Sequence, residues 1–306
     1  MINNIKSRYI LKIIIEHLIK KNYFKLFRYN KELQTKLDIN LDDYKRIFNS
    51  IEMELIPIEK LKPDIKYYFI KMRENLNYYH IYFDNDEKTE IKRNYLTNKD
   101  KVKKIAIKID IELKSLTGLF TDCLAPKEIT FTKFNREDFT DMKELFYGCN
   151  NLEKLDIQKL KTPNLIKMNW MFSLCSSLKE LNILNINTSK VTEMICVFSG
   201  CISLKKIEFN FNTQNVTNMR NMFYKCKSLK ELDVSNFNAY NVKNFNDMFY
   251  ECINLNYLEL KYFPLSNKEI RISRMFGECN HTLQENVKKQ FKNIEEFVFH
   301  KNDNKY

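Results

Sequence analysis

The chain has 306 residues, a formal net charge of +12, and only 4 glycines and 5 prolines, which excludes a collagen-like or low-complexity polymer. It holds no run of about 18 apolar residues, so no membrane span is expected. The positive charge is spread along the sequence rather than gathered in one segment, which fits a solvated lysine-rich surface better than a nucleic-acid footprint.

Residues 1–40 open with apolar positions at helical spacing: Ile10, Leu11, Ile14, Ile15 and Leu18, then Phe24, Leu26 and Phe27, then Leu33 and Leu37. Asn22 and Asn30 punctuate them, giving a small helical segment. Such a cluster is too small to bury itself, so it must cap the rest of the chain or cover a partner. The stretch "YILKIIIEHLI" resembles a signal peptide only in part. Lys12, Glu16 and His17 interrupt it and no small-residue cleavage site follows, so a cytoplasmic, intracellular placement is expected.

Residues 41–100 read as a mixed linker or cap region. Within it, "YYHIYFDNDEKTEIKRNYL" suits a hairpin around an Asp84-Asn85-Asp86 turn. Those carboxylates lack the glycine and closing glutamate of a calcium loop. From residue 101 to 306 the pattern becomes periodic. The run "VKKIAIKIDIEL" looks like a degenerate first layer with Ile105 and Ile107 in strand slots.

An apolar residue, Phe, any two residues and Cys then recur, ending at Cys123, Cys149, Cys175, Cys201, Cys226, Cys252 and Cys279. The steps are 26, 26, 26, 25, 26 and 27 residues. A fixed period of this size marks stacked supersecondary units. After each Cys comes Leu-x-x-Leu-x-apolar, as in Leu178, Leu181 and Ile183, whose last two positions have strand spacing. An apolar pair three apart, as in Val191 and Met194, suits a short helical or 3₁₀ arc on the opposite side. The fold expected is an α/β solenoid: a stack with one parallel sheet, preceded by the small helical segment and closed by a C-terminal cap. In that cap "LQENVKKQF" is helical and Phe297-Val298-Phe299 forms a closing strand. The cysteines fall in apolar slots beside the phenylalanines, so they are expected as inert core thiols rather than disulfides or metal ligands.

The unit "NVTNMRNMFYKCKSLKELDVSNF" at 214–237 resembles the leucine-rich repeats of the BspA-like type, over roughly Leu116 to Phe276. The resemblance implies a leucine-rich-repeat solenoid that binds other molecules, in many such proteins as a surface adhesin. The segment "ILKIIIEHLIKKNYFKLFRYNKELQ" resembles an F-box. That likeness implies that Leu11, Ile14, Ile15, Leu18, Phe24 and Leu26 face a Skp-type adaptor of a ubiquitin ligase.

Catalytic signatures are missing from the sequence. The glycines never cluster into a phosphate-cradling loop, and no serine elbow or zinc-binding His-Glu-x-x-His helix occurs. Cys196 lies outside the ladder with no histidine near it in sequence. The expectation is a non-enzymatic protein with no cofactor and no metal. Strand positions alternating with the buried ones form its open face. One column reads Glu128, Lys154, Glu180, Lys206, Glu231, Tyr257, and its neighbour Thr130, Asp156, Asn182, Glu208, Asp233, Glu259. Like charges on adjacent strands destabilise, so Glu208, Asp233 and Glu259 point to a lane for a basic peptide or protein, flanked by Asp156, Lys206, Glu231 and Tyr257. Two roles follow: an intracellular interaction module, in one form an F-box-like substrate adaptor, or alternatively a surface or secreted BspA-like adhesin.

Overall fold

The computed structural model describes residues 49–299 apart from 73–75, 87, 110–114, 293 and 295, together with Lys31 and Thr35. Apart from Lys31 and Thr35, the expected helical segment of residues 1–40, with every residue assigned to an adaptor, lies outside the described residues. What is described is mostly sheet and turn, with one α-helix and no closed barrel.

Strand β1 (Ile51–Pro57) follows from strict alternation: Ile51, Met53 and Leu55 are buried while Glu52 and Glu54 reach the surface. It pairs antiparallel on one side with β5 (Ile105–Ile109) and on the other with β6 (Pro126–Phe134). β3 (Tyr79–Phe83) continues beyond β5, and β7 (Lys154–Asp156) lies parallel to β6. The sheet order is therefore β3-β5-β1-β6-β7.

This corrects the reading of 102–113 as a first parallel layer. Ile105 and Ile107 do point inward, but β5 runs antiparallel and β1 separates it from β6. Alternation fixes which face is buried; it does not fix direction or neighbour. The single parallel sheet is corrected too. The five-stranded sheet is mixed, a separate parallel pair joins β8 (Glu180–Asn182) to β9 (Lys206–Glu208), and no later unit has a strand.

The hairpin expected around Asp84 is only half present. Asp84 and Asn85 make the left-handed turn, with φ of 51° and 66°. The returning chain then gives one backbone bond, Ile91 N–H to Ile81 O at 2.8 Å, and a side-chain bond between Glu90 and His80 at 2.9 Å, before leaving. Its two-residue strand β4 (Tyr95–Leu96) pairs instead with β2 (Tyr67–Tyr68). The Asp84 carboxylate accepts the N–H groups of Lys103 and Lys104, at 2.7 and 2.9 Å, and so ties β3 to the start of β5.

No helical arc forms opposite the strands. The segment entering each Cys is a run of turns in which alternate N–H groups face different ways. Leu145, Tyr147 and Cys149 donate three residues back within their own unit, to Met142, Glu144 and Phe146. Met142, Glu144, Phe146 and Gly148 donate across to Lys167, Asn169, Met171 and Ser173 of the next unit, at 2.9, 3.0, 2.9 and 2.9 Å. The same weave recurs between later units, so the backbone donors of these turns are used almost completely.

The alternation needs left-handed residues. One column of them is Gly118, Glu144, Trp170, Cys196, Asn221, Asp247 and Arg274; the other, immediately before each Cys, is Asp122, Gly148, Leu174, Gly200, Lys225, Glu251 and Glu278. A non-glycine residue in this region costs about 1–2 kcal/mol, so the interlayer bonds and the core must hold it there.

Inside the repeat region Phe120, Phe146, Phe172, Phe198, Phe223, Phe249 and Phe276 are fully buried. Their rings lie nearly parallel, with consecutive centroids 5.3 to 5.7 Å apart. Each thiol after the first donates to the Phe carbonyl one layer back: Cys149 to Phe120 and Cys175 to Phe146, both at 3.1 Å, and so on to Cys279 and Phe249. All eight cysteines are buried and free. Burial pushes Cys123, Cys201 and Cys279 up to about 12.

Helix α1 (His281–Gln290) closes the far end. Asn280 caps it by accepting the Leu283 N–H at 2.9 Å, and Leu283 and Val287 are buried against the last layer. Where a closing strand was expected, Glu296–Phe299 forms a 3₁₀ turn; its Val298 carbonyl takes the Phe276 N–H at 3.0 Å.

Candidate interaction face

The strand side is built from three-residue segments with one residue turned inward. Ile129 and Leu155 are in register, flanked by Glu128 with Lys154 and by Thr130 with Asp156. Leu181 and Ile207 are likewise flanked by Glu180 with Lys206 and by Asn182 with Glu208. The period of two thus places both expected columns outward, with Asp156, Lys206, Glu231, Asp233, Tyr257 and Glu259 exposed and Glu208 half-buried.

Their partners lie closer than the columns suggested. Lys154 does reach across to Glu128, at 3.2 Å. Lys206 instead turns to Glu208 on its own strand, at 2.6 Å, and that bond raises its pKa. Glu208 also accepts from the Asn182 side chain at 2.6 Å. Asp156 takes the Gln158 N–H at 3.0 Å. Hydrogen bonds from Ser235, side chain and backbone, hold the Asp233 carboxyl below its ordinary value. Glu259 accepts from the Tyr257 hydroxyl at 2.9 Å, which pushes the phenol up. The like charges are thus eased one by one, within or beside their own layer.

The structure gathers four of the expected residues into one place. Between the fifth and sixth units the segments around 231–233 and 257–259 form no strand pair, and a depression of about 460 Å³ opens there. Lys230, Glu231, Leu232, Asp233, Asn256, Tyr257 and Glu259 line it. Tyr257 is 55% exposed. Asp156, Lys206 and Glu208 belong to earlier units and do not line it. Sequence reasoning missed Lys230, Leu232 and Asn256, because unit five repeats the Leu-x-x-Leu phrase without change and nothing in it announces the loss of pairing.

Elsewhere, Asp86 takes the Lys88 and Thr89 N–H groups, and Asp84 those of Lys103 and Lys104, so both carboxylates of the turn are spent on backbone. Among the described residues no group of three or more His, Cys, Asp or Glu side chains is placed to hold a metal. No helix among them is long and apolar enough to cross a membrane.

Residues 114–208 and 197–303 match the sequence family described as "Mycoplasma protein of unknown function, DUF285". The chain belongs to the DUF285 family. The two matched spans overlap at 197–208 and run through every Cys unit after the first few residues of the repeat region, which is the part that resembles BspA-like repeats. No curated protein and no solved structure matches.

Proposed function

We propose that this DUF285 chain is a non-enzymatic protein-interaction module, its units forming a leucine-rich-repeat-type solenoid that holds a basic peptide or protein segment on the strand side. The observation that carries the reading is the depression between units five and six. It sets three carboxylates, Glu231, Asp233 and Glu259, against one lysine, Lys230, beside the exposed ring of Tyr257. A carboxylate-lined recess with an aromatic wall suits a lysine or arginine side chain of a partner. Fluorescence anisotropy with a nonalysine peptide tests it. Binding that weakens about tenfold in the Glu231→Ser/Asp233→Ser/Glu259→Ser variant, and weakens further with salt, is expected. Equal affinity in both proteins would remove the reading.

The finer role, an F-box-like adaptor acting inside the cell, rests on the resemblance of residues 8–37; the eight free, buried thiols suit a reducing compartment. Its check is co-expression with a Skp-type adaptor, and failure of the two to co-purify would discard it.

A further inference from the structure

A second concavity, of about 550 Å³, lies at the other end of the molecule, where β1 outruns its neighbour. The register of β1 with β5 ends at Leu55 opposite Ile105, while β1 itself continues to Pro57. Ile56 and Pro57 therefore have no strand beside them on that side. The chain leading into β5 is drawn away by Asp84, whose carboxylate takes the Lys103 and Lys104 N–H groups. The gap left between them is the cleft.

Its lining divides by chemistry. Ile56, Pro57, Ile58, Leu61, Leu96 and Val102 supply the apolar part, and Ile56 is 38% exposed there. Lys101, Lys103 and Lys127 stand among them, and among the described residues none of the three ammonium groups has an ion-pair or hydrogen-bond partner. Two carboxylates also border the cleft. Asp100 is committed elsewhere: it accepts from Arg93 at 2.9 Å and from the Thr97 N–H at 2.7 Å. Glu59 is the other, so three lysines face one uncommitted acid. Apolar walls with a few convergent charges, in a volume of this size, are the usual make-up of a small-molecule site.

We propose that this cleft binds an anionic single-chain amphiphile, its alkyl chain along Ile56, Leu96 and Val102 and its carboxylate among Lys101, Lys103 and Lys127. Charge complementarity selects the head group, and the apolar lining selects the tail. The site does not depend on the strand-side reading above, because no residue is shared between the two concavities.

Isothermal titration of the full chain with dodecanoate, below its micelle concentration, tests the proposal beside two controls: dodecan-1-ol, which lacks the charge, and acetate, which lacks the tail. Saturable dodecanoate binding is expected, with each control weaker by about tenfold or more. The Lys101→Glu/Lys103→Glu/Lys127→Glu variant should lose about tenfold or more in dodecanoate affinity while keeping its thermal melt, and so should Ile56→Glu. The proposal is overturned if dodecanoate shows no saturable binding, if dodecanol binds as tightly, or if charge reversal leaves the affinity unchanged.

Discussion

The two sides of the repeat region obey the same period and are built very differently. On the turn side each unit passes its N–H groups to the next without a break, from Gly118 and Lys143 to Phe276 and Val298. On the strand side pairing is present at β6–β7 and β8–β9 and then stops. The continuous aromatic column and the thiol–carbonyl bonds both belong to the segments that weave. The difference teaches where the period is enforced. Register comes from the turns and the core behind them, which leaves the strand face able to change its side chains, and even to lose its pairing, at little cost.

The sharpest way to break that contrast is to remove one ring. Phe172→Ala deletes a fully buried side chain stacked between Phe146 and Phe198, and should cost about 3–5 kcal/mol in chemical denaturation. Glu208→Ser, on the half-buried strand face, should stay within about 0.5 kcal/mol of the parent. Comparable losses for the two would mean that the strand side carries the register after all.

A smaller effect is expected at Gly148, where φ is +69° and an added Cβ would lie 2.1 Å from Asp122 Oδ1. Gly148→Ala should lose about 1–2 kcal/mol. Adding Asp122→Ala should return the part due to the contact, leaving the part due to the backbone. Full recovery in the double variant would show that the left-handed turn is not under strain.

Among the buried positions the smallest change is Cys201→Ala, which deletes the thiol bond to the Phe172 carbonyl and should cost about 1 kcal/mol. Because burial lifts this thiol to about 12, iodoacetamide at neutral pH should leave Cys201 unmodified until the chain unfolds. Rapid alkylation of the native protein would contradict the packing described for it.

Much of this was legible in the sequence. The Phe and Cys slots declared themselves by spacing, because burial in a stack forces the same side chain into the same place each time. The outward columns followed from the two-residue period of the strands. The turn weave was not legible, since most of its left-handed positions hold residues such as Glu144, Trp170 and Arg274, which carry no local preference for that conformation. Gly118, Gly148 and Gly200 marked the slots, with Asp122, Asn221 and Asp247 as weaker signs of them. The capping strand β1 was legible and missed: "IEMELIP" alternates as cleanly as any strand in the chain. Of the candidate site, the charges could be read but their partners could not. That Lys206 would choose Glu208 on its own strand over Glu180 on the next is settled by side-chain reach, not by period.

One side chain at the far end has a consequence for the whole molecule. The last strand-side segment, in the sixth unit, would leave a free edge at Leu258 and Leu260. Gln290 occupies it: its amide oxygen accepts the Leu260 N–H at 3.0 Å and its amide nitrogen donates to the Leu258 carbonyl at 2.7 Å. One carboxamide imitates a peptide unit and denies the place to any other.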